Sequence, residues 1–195
     1  DGSSLTADEF TTQLPVSAMM VDGDGNNYSM KGYDGVDIIQ GNGGADYMWG
    51  YGGDDRLEGG DDNDFLDGGA GQDWLDGGAG NDDYAWGDGR GNDTLRIASG
   101  PESVASDTNR LFIYGNQLAD KLTVLRDGQD MKLVNQVTQE VLTIKEWFVG
   151  PEHQLDYIVF TADDSRLYQQ DLNERAIVQG TSGNDTIYIP EGNIG

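Results

Sequence analysis

The sequence predicts a mainly β protein in which an array of short repeats is followed by a smaller α+β segment. A nine-residue unit recurs through residues 32–96. Alternating apolar and polar residues indicate further strands between residues 97 and 179. The chain of 195 residues has no cysteine, so neither disulfides nor thiolate metal sites can stabilise it.

The charge of the chain is strongly negative. It has 36 Asp and Glu against 11 Lys and Arg, a formal net charge of −25. Such a chain repels nucleic acid and anionic membranes, and no apolar run approaches the roughly 18 residues of a membrane span. We therefore expect no nucleic-acid partner and no transmembrane segment. The carboxylates either keep the chain disordered or are neutralised by bound cations, and composition leaves both open.

The repeat unit is defined by three positions. Position four is Gly in seven of eight units, position six is always Asp, and position eight is always apolar or aromatic. A flexible Gly/Asp linker would not keep an apolar residue in phase through so many units, so the pattern indicates a folded array. Trp86 and Gly87 are inserted before the seventh unit. The units are GYDGVDIIQ (32–40), GNGGADYMW (41–49), GYGGDDRLE (50–58), GGDDNDFLD (59–67), GGAGQDWLD (68–76), GGAGNDDYA (77–85), DGRGNDTLR (88–96) and GTSGNDTIY (180–188).

This pattern resembles the nonapeptide repeat of RTX proteins, G-G-x-G-x-D-x-U-x. The resemblance implies a calcium-bound parallel β-roll, a two-sheet solenoid in which each unit gives a turn and a short strand. Two units form one coil of 18 residues, so units i and i+2 stack. Gly at positions one, two and four lets the turn adopt positive φ and directs its carbonyls toward a common point, and Asp at position six supplies the hard oxygen ligand that calcium prefers. One turn is half of a calcium cage, and the stacked turn completes it.

The stacking implies about five calcium sites, each between two position-six aspartates. The pairs are Asp37 with Asp55, Asp46 with Asp64, Asp55 with Asp73, Asp64 with Asp82, and Asp73 with Asp93. Asp185 in the eighth unit is a further candidate ligand. Further candidate calcium ligands lie in the turns, where the glycines would bind through their main-chain carbonyls. They are Gly35, Gly44, Gly53, Gly60, Asp62, Gly69, Gly71, Gly78, Gly80 and Gly91. Because residues 32–96 hold 16 acidic and 3 basic residues, we expect them to be largely unfolded without calcium.

The first 31 residues are expected to form an N-terminal cap. Thr6 starts a helix capping box, and LPVSAMMV (14–21) has the composition of a strand. Asp22, Asp24 and Asn26 begin like an EF-hand loop, but the later Gly and Glu positions of that loop are not filled. A polar capping turn and an additional calcium site both remain open.

Outward positions of the repeats carry aromatic residues. Tyr47 and Phe65 are one coil apart with Trp49 nearby, and Arg56 and Trp74 share the other face. Such a stripe either packs against the rest of the chain or binds a glycan or protein partner.

Residues 97–179 are expected to form an α+β capping or inserted segment. KLTVLRDGQDMKLV (121–134) predicts a hairpin, VLTIKEWF (141–148) and LDYIVF (155–160) predict strands, and SRLYQQDLNERA (165–176) predicts a helix capped by Ser165. Their order resembles the haemolysin-type calcium-binding related domain that accompanies RTX repeats. A solenoid end needs such a cap. Residues 180–195 are expected to begin a further repeat block.

No catalytic constellation is recognisable in the sequence. His153 is the only histidine, and there is no HExxH motif. The GTSGN segment has Asn184 where a nucleophile elbow needs Gly. We therefore expect this chain not to be an enzyme, although RTX repeats follow proteases, lipases and toxins in the family.

The resemblance implies a calcium-dependent folding and structural module of a large secreted protein, a toxin or surface adhesin of a Gram-negative bacterium. Export through type I secretion machinery would explain the missing signal-peptide pattern at the N-terminus. Extracellular calcium modules bind at about 10⁻⁴ to 10⁻³ M, so the chain would leave the cell unfolded and fold outside. The alternatives are a calcium-stabilised ligand-binding or adhesion module and an accessory C-terminal domain of a secreted enzyme.

Overall fold

The chain folds into two facing sheets. A computed structural model describes residues 19–21, 26–97, 107–116 and 118–178. The strands are β1 (Met19–Val21), β2 (Ser29–Lys31), β3 (Ile38–Gly43), β4 (Tyr47–Trp49), β5 (Arg56–Asp61), β6 (Phe65–Asp67), β7 (Trp74–Ala79), β8 (Asp83–Gly87), β9 (Thr94–Arg96), β10 (Arg110–Tyr114), β11 (Leu122–Asp127), β12 (Asp130–Asn135), β13 (Val141–Ile144), β14 (Tyr157–Phe160), β15 (Arg166–Tyr168) and β16 (Ile177–Val178). Helix α1 spans Gln169–Arg175, and 3₁₀ turns span Ala119–Lys121 and Pro151–His153. Within these residues no helix is both long and apolar enough to cross a membrane.

Successive repeats alternate between the two sheets. The first sheet has the order β1-β3-β5-β7-β9-β13-β12-β11-β16 and the second β15-β14-β10-β8-β6-β4-β2. The repeat strands pair in parallel with partners one coil away, so that Leu57 lies beside Ile39 and Leu75 beside Leu57. The predicted mainly β, parallel two-sheet roll is confirmed.

The interior of the roll is a single layer of side chains from position eight. Because residues in a strand point alternately to opposite faces, one residue in each short strand faces the other sheet. All seven of these side chains are at most 1% exposed: Ile39, Met48, Leu57, Leu66, Leu75, Tyr84 and Leu95. Burial of one residue per unit makes a thin core, which gives each coil little hydrophobic stabilisation.

The two residues inserted before the seventh unit lengthen β8. Trp86 enters the interior with no exposed surface, and its indole Nε1–H donates to the Gly91 carbonyl at 3.2 Å. The insertion thus adds a large core residue without breaking the stack, since β9 still pairs with β7.

Residues 107–178 continue both sheets beyond the repeats. Strand β10 pairs in parallel with β8, and β13 pairs in parallel with β9. The core runs on through Leu111, Ile144 and Trp147, which are fully buried. This segment therefore covers the interior that the last coil would otherwise expose. The division of the chain at residue 97 remains a prediction.

Several local expectations are confirmed and two are wrong. The β11–β12 hairpin and strand β14 form as expected. Ser165 does not cap the helix: residues 166–168 pair with β14, and the helix begins at Gln169, where the Tyr168 N–H donates to Asp171 Oδ2 at 2.8 Å. Strand β13 ends at Ile144, because the turn that follows buries Trp147.

Part of the N-terminal and C-terminal expectations falls outside the described residues. This applies to Thr6, Asp22, Asp24, Asp185 and the repeat block predicted at 180–195. Of the strand predicted at 14–21, Met19–Val21 is described and pairs in parallel with β3.

Candidate metal centres

The position-six aspartates form two rows, one along each edge of the roll. The first row, Asp37, Asp55, Asp73 and Asp93, precedes strands of the first sheet, and the second row, Asp46, Asp64 and Asp82, precedes strands of the second. Every one of these aspartates is at most 3% exposed. The turn that precedes each strand folds its carboxylate into the space between stacked coils.

Each aspartate is tied to the next one in its row by the same pair of hydrogen bonds. The Asp55 N–H donates to Asp73 Oδ1 at 2.8 Å, and the N–H of Trp74 donates to the Asp55 carbonyl at 2.8 Å. The equivalent N–H to Oδ1 bonds join all five pairs expected to stack, at 2.8–3.0 Å. The structure therefore brings together, pair by pair, the residues that the nine-residue spacing predicted.

The second carboxylate oxygen is buried and unsatisfied along both rows. Four of these Oδ2 atoms are buried and have no hydrogen-bond partner: those of Asp55, Asp64, Asp73 and Asp82. A buried charged oxygen without a partner is strongly destabilising unless a cation binds it. Repetition of the same unsatisfied atom in successive turns indicates a repeated ligand.

A family comparison agrees with this geometry. The family model of the RTX calcium-binding nonapeptide repeat matches the chain in four copies, over residues 31–66, 49–84 and 176–188. The chain carries RTX calcium-binding repeats. The structure adds the unit at 88–96, which lies outside the matched residues but stacks in register on the fifth repeat. No curated protein matches the chain.

Burial raises the pKa of the RTX carboxyl groups. The pKa rises from 3.8 to about 8 at Asp64 and Asp93, to about 7 at Asp55 and Asp82, and to about 6 at Asp73. Loss of hydration is the largest cause and nearby carboxylates add to it, whereas the backbone hydrogen bond from the stacked turn lowers each pKa. A divalent cation between the carboxylates would offset both unfavourable effects.

The glycine at position one of the first six RTX units leaves space for the ligands. A Cβ at Gly59 would overlap Asp64 Oδ2 and the main-chain carbonyl of Gly77, and a Cβ at Gly41 would overlap the equivalent two oxygens. The glycines at position one do not have positive φ, so the expectation that they are needed for backbone conformation is wrong. They are needed because any Cβ would overlap the oxygen atoms that approach the backbone there. A carboxylate and a carbonyl from adjacent turns thus converge, which is the oxygen donor set that calcium takes.

The predicted turn residues at positions two and four mostly adopt the left-handed conformation. Gly71 has φ 154°, and a Cβ there would overlap the Gly53 carbonyl of the turn below. Asp62 has φ 75°, as expected for an Asp in place of Gly, and Asn42 and Tyr51 do the same where the second Gly is missing. The glycines with positive φ in these turns are Gly44, Gly53, Gly60, Gly69, Gly71, Gly78, Gly80, Gly89 and Gly91. Gly35 is not among them.

The RTX sites cannot be built from side chains alone. In the part of the chain that the structure describes, no three His, Cys, Asp or Glu side chains cluster to hold a metal ion. A cation between two stacked turns would therefore take the two carboxylates and complete its shell with main-chain carbonyl oxygens. Which carbonyls bind remains a prediction.

One residue outside the repeats joins the second row and was not expected. The Asp82 N–H donates to Asn109 Oδ1 at 3.0 Å, so Asn109 stands where the next position-six Asp would be. A signal was present in the segment Asp107-Thr-Asn-Arg-Leu111, which has an oxygen-bearing side chain two residues before a buried Leu. The first row ends differently, because the Asp93 N–H donates to the Val141 carbonyl at 3.0 Å.

The outward aromatic residues form a cluster in which Tyr47 is the most exposed. The rings of Tyr47, Trp49 and Phe65 lie with centroids 6.0–6.1 Å apart; Tyr47 is 54% exposed, and Trp49 and Phe65 are partly buried. Packing against the rest of the chain and binding of a partner both stay predictions. On the opposite sheet, the Arg56 guanidinium lies 5.6 Å from the Trp74 ring centroid.

Proposed function

We propose that this chain is a calcium-dependent folding and structural module of a larger secreted RTX protein, a toxin or surface adhesin. It is largely unfolded at the low free calcium of a cytosol and folds outside the cell. The observation that carries the proposal is the set of buried carboxylate oxygens that have no partner in the stacked turns. About five cations, one between each stacked pair, would satisfy them.

The energetic argument rests on the thinness of the core. Each unit buries one apolar side chain, which is the whole hydrophobic stabilisation for nine residues. All nine residues lose backbone entropy when they become ordered, so burial alone does not hold the turns. Metal binding coupled to folding supplies the missing stabilisation, as in other small metal-dependent domains.

Charge repulsion also favours an unfolded chain when calcium is absent. Residues 32–96 contain 16 acidic and 3 basic residues. Few cations compensate: Arg90 pairs with Asp67, and Arg56 with Glu58. In the absence of calcium this repulsion favours an extended chain, which is the state that a secretion channel accepts.

The proposal includes a location and a route. Extracellular calcium modules bind at about 10⁻⁴ to 10⁻³ M. The RTX resemblance favours export by type I secretion from a Gram-negative bacterium, with folding at the outside. Residues 107–178 then act as a cap that closes the roll. The repeats themselves are a calcium-binding structural element, and a catalytic domain, if the parent protein has one, lies elsewhere in it.

Circular dichroism during a calcium titration, with magnesium as the matched control ion, tests this function. We expect little β signal in chelator, a cooperative gain with calcium, and a much smaller gain with magnesium, which prefers octahedral sites and retains its water. A complete β signal in chelator, or full replacement by magnesium, would contradict the proposal.

A second candidate function, ligand binding, is favoured by one surface. Next to the outward aromatic cluster lies a cleft of about 400 Å³ lined by Trp49, Tyr51 and Tyr114. Arg90 lies over the Tyr114 ring at 4.9 Å and pairs with Asp67 at the cleft wall. Aromatic rings beside a polar ion pair suit a glycan, which offers apolar faces and hydroxyl groups.

A glycan-binding screen of the calcium-loaded protein tests the second candidate. Trp49→Ala should abolish a signal that Trp74→Ala, on the opposite sheet, leaves unchanged. If neither substitution changes binding, or if no glycan binds, the cleft is not a glycan site.

A further inference from the structure

Residues 107–111 stack on the sixth RTX unit as a repeat that lacks the sequence signature. The Asp82 N–H donates to Asn109 Oδ1 at 3.0 Å, and the Arg110 N–H donates to the Asp82 carbonyl at 2.9 Å. These two bonds are the same pair that joins each stacked RTX aspartate to the next. One residue earlier, the Thr108 N–H donates to Asn81 Oδ1 at 2.6 Å, as the Asn81 N–H does to Asn63 Oδ1 at 2.8 Å. Asn109 and Leu111 thus hold positions six and eight.

Two buried oxygens lie close together at this step of the stack. Asp82 Oδ2 has no hydrogen-bond partner, and the Tyr84 hydroxyl beside it lies against the Gly77 backbone; both residues are fully buried. A Cβ at Gly77 would overlap both atoms. At Gly59, the glycine at position one of the fourth unit, an added Cβ would instead overlap the Asp Oδ2 and a main-chain carbonyl of the next coil. The Tyr84 hydroxyl therefore takes the place of that carbonyl.

The position of Tyr84 has no explanation in packing alone. The other buried residues at position eight are Ile, Met or Leu, which bring no polar atom into the interior. A buried hydroxyl oxygen needs polar or cationic partners to offset its lost hydration. A cation beside Asp82 Oδ2 would satisfy this hydroxyl and the carboxylate together.

Asp107 supplies charge at the same step. Its Oδ2 accepts the Gly80 N–H at 3.3 Å, and Gly80 is position four of the sixth unit. Asp107 therefore corresponds to position four, where the fourth unit also has an Asp. Since Asn109 brings a neutral amide oxygen, the step has one carboxylate at position six where the RTX pairs have two. Asp107 brings a second carboxylate to this step.

The Asp93 end of the first row is built differently. There the Asp93 N–H donates to the main-chain carbonyl of Val141, although the Glu140 carboxylate accepts the Gly91 N–H at 3.1 Å. At the start of the second row position six is Tyr28, whose N–H donates to Asp46 Oδ1 at 2.8 Å. A side-chain oxygen at position six therefore continues the row past Asp82 but not past Asp93.

We propose that Asp82, Tyr84 and Asn109, with Asp107 alongside, form an additional divalent-cation site outside the repeat signature. This inference rests on the proposed calcium function, because the site is built from the same oxygen chemistry. Its ligand is calcium, since the donors are all hard oxygens. With a neutral amide in place of one carboxylate, this site binds more weakly than the RTX pairs and fills last.

Native mass spectrometry with increasing calcium, run on the full chain, counts the bound ions. The wild type should bind one ion more than Asn109→Leu, which keeps the side-chain volume but removes the oxygen. Thr108→Ala is the matched control and should bind as many ions as the wild type. Circular dichroism at saturating calcium verifies that each variant is folded.

Two substitutions keep the test decisive if Asn109→Leu does not fold. Asn109→Asp adds a carboxylate and should lower the calcium concentration at which the last ion binds by about tenfold, in line with the dependence of affinity on ligand charge. Tyr84→Phe removes only the hydroxyl and should raise that concentration. Equal counts in wild type and Asn109→Leu, or no change of the last ion in the other two variants, would overturn the inference. A wild type that binds no calcium would instead overturn the proposed function.

Discussion

Replacement of Asp64 by Asn should have opposite effects in the absence and presence of calcium. Asp64 lies in the middle of the second row and is shared by two stacked pairs, with Asp46 on one side and Asp82 on the other. Its Oδ2 is buried without a partner, and burial raises its pKa from 3.8 to about 8. The neutral amide has almost the same shape and can still accept the Asp46 N–H.

The size of the effect follows from the pKa. A carboxyl group whose pKa is raised on folding stabilises the folded state below about pH 4 and loses that contribution as the pH rises towards 8. The rise of the Asp64 pKa from 3.8 to about 8 corresponds to about 5 kcal/mol near pH 8. Without calcium, the ionised Asp64 therefore opposes folding by this amount, and Asp64→Asn removes the penalty. With calcium, the same substitution removes a charged ligand from two sites.

Circular dichroism in chelator and through a calcium titration at pH 8 checks both signs. Asp61→Asn, which neutralises an exposed carboxylate in the same unit, is the control for the general change in charge. We expect Asp64→Asn to have more β signal than the wild type in chelator and to raise the calcium concentration at the folding midpoint by about tenfold. A variant that has no more β signal than the wild type in chelator and yet needs more calcium to fold would refute the reasoning, because it would show that the ionised Asp64 does not oppose folding.

Three further predictions concern the protonation, the core and the turns. In chelator, lowering the pH from 8 to 5 should increase the β signal of the wild type, because the buried aspartates become protonated and stop repelling one another. Their pKa values of about 6 to 8 lie in this range for Asp55, Asp64, Asp73, Asp82 and Asp93. An unchanged far-ultraviolet spectrum would contradict this prediction. Leu75→Ala should lower the free energy of unfolding of the calcium-loaded protein by about 2–5 kcal/mol, against less than about 0.5 kcal/mol for the exposed Val36→Ala, and similar losses at both sites would argue against the single-layer core. Gly71→Ala should prevent calcium-induced folding because its Cβ would overlap the Gly53 carbonyl, whereas Gly89→Ala, with positive φ but open space, should cost about 1 kcal/mol; thermal unfolding of the two variants in calcium separates them.

The repeat half of the fold could be predicted because each constraint there is local and periodic. Asp73 and Asp93 were paired correctly from the sequence even though two extra residues lie between their units, because the coil length fixes which turns can stack. The burial of Leu57 and Leu66 followed from their phase in the unit. The steric reason for glycine at position one, as at Gly59, needed coordinates, because it depends on a carbonyl that comes from another coil.

The segment after the repeats could be predicted only in part. The hairpin of β11 and β12 has a local turn signal at Gly128, whereas β10 has none and was not foreseen. The place of Asn109 above Asp82 depends on how the chain returns to the second sheet, which no short motif encodes. The Ser165 cap failed for a similar reason, since pairing of β15 with β14 overrides the local helix signal.

The measurement that tests calcium binding in the stacked turns most directly is anomalous diffraction from crystals grown with calcium or a lanthanide substitute. We predict peaks along both edges of the roll, one between each stacked pair from Asp37 with Asp55 to Asp73 with Asp93, at the buried Oδ2 atoms. Peaks confined to surface carboxylates, or turns that keep their geometry with no peak between them, would contradict the account.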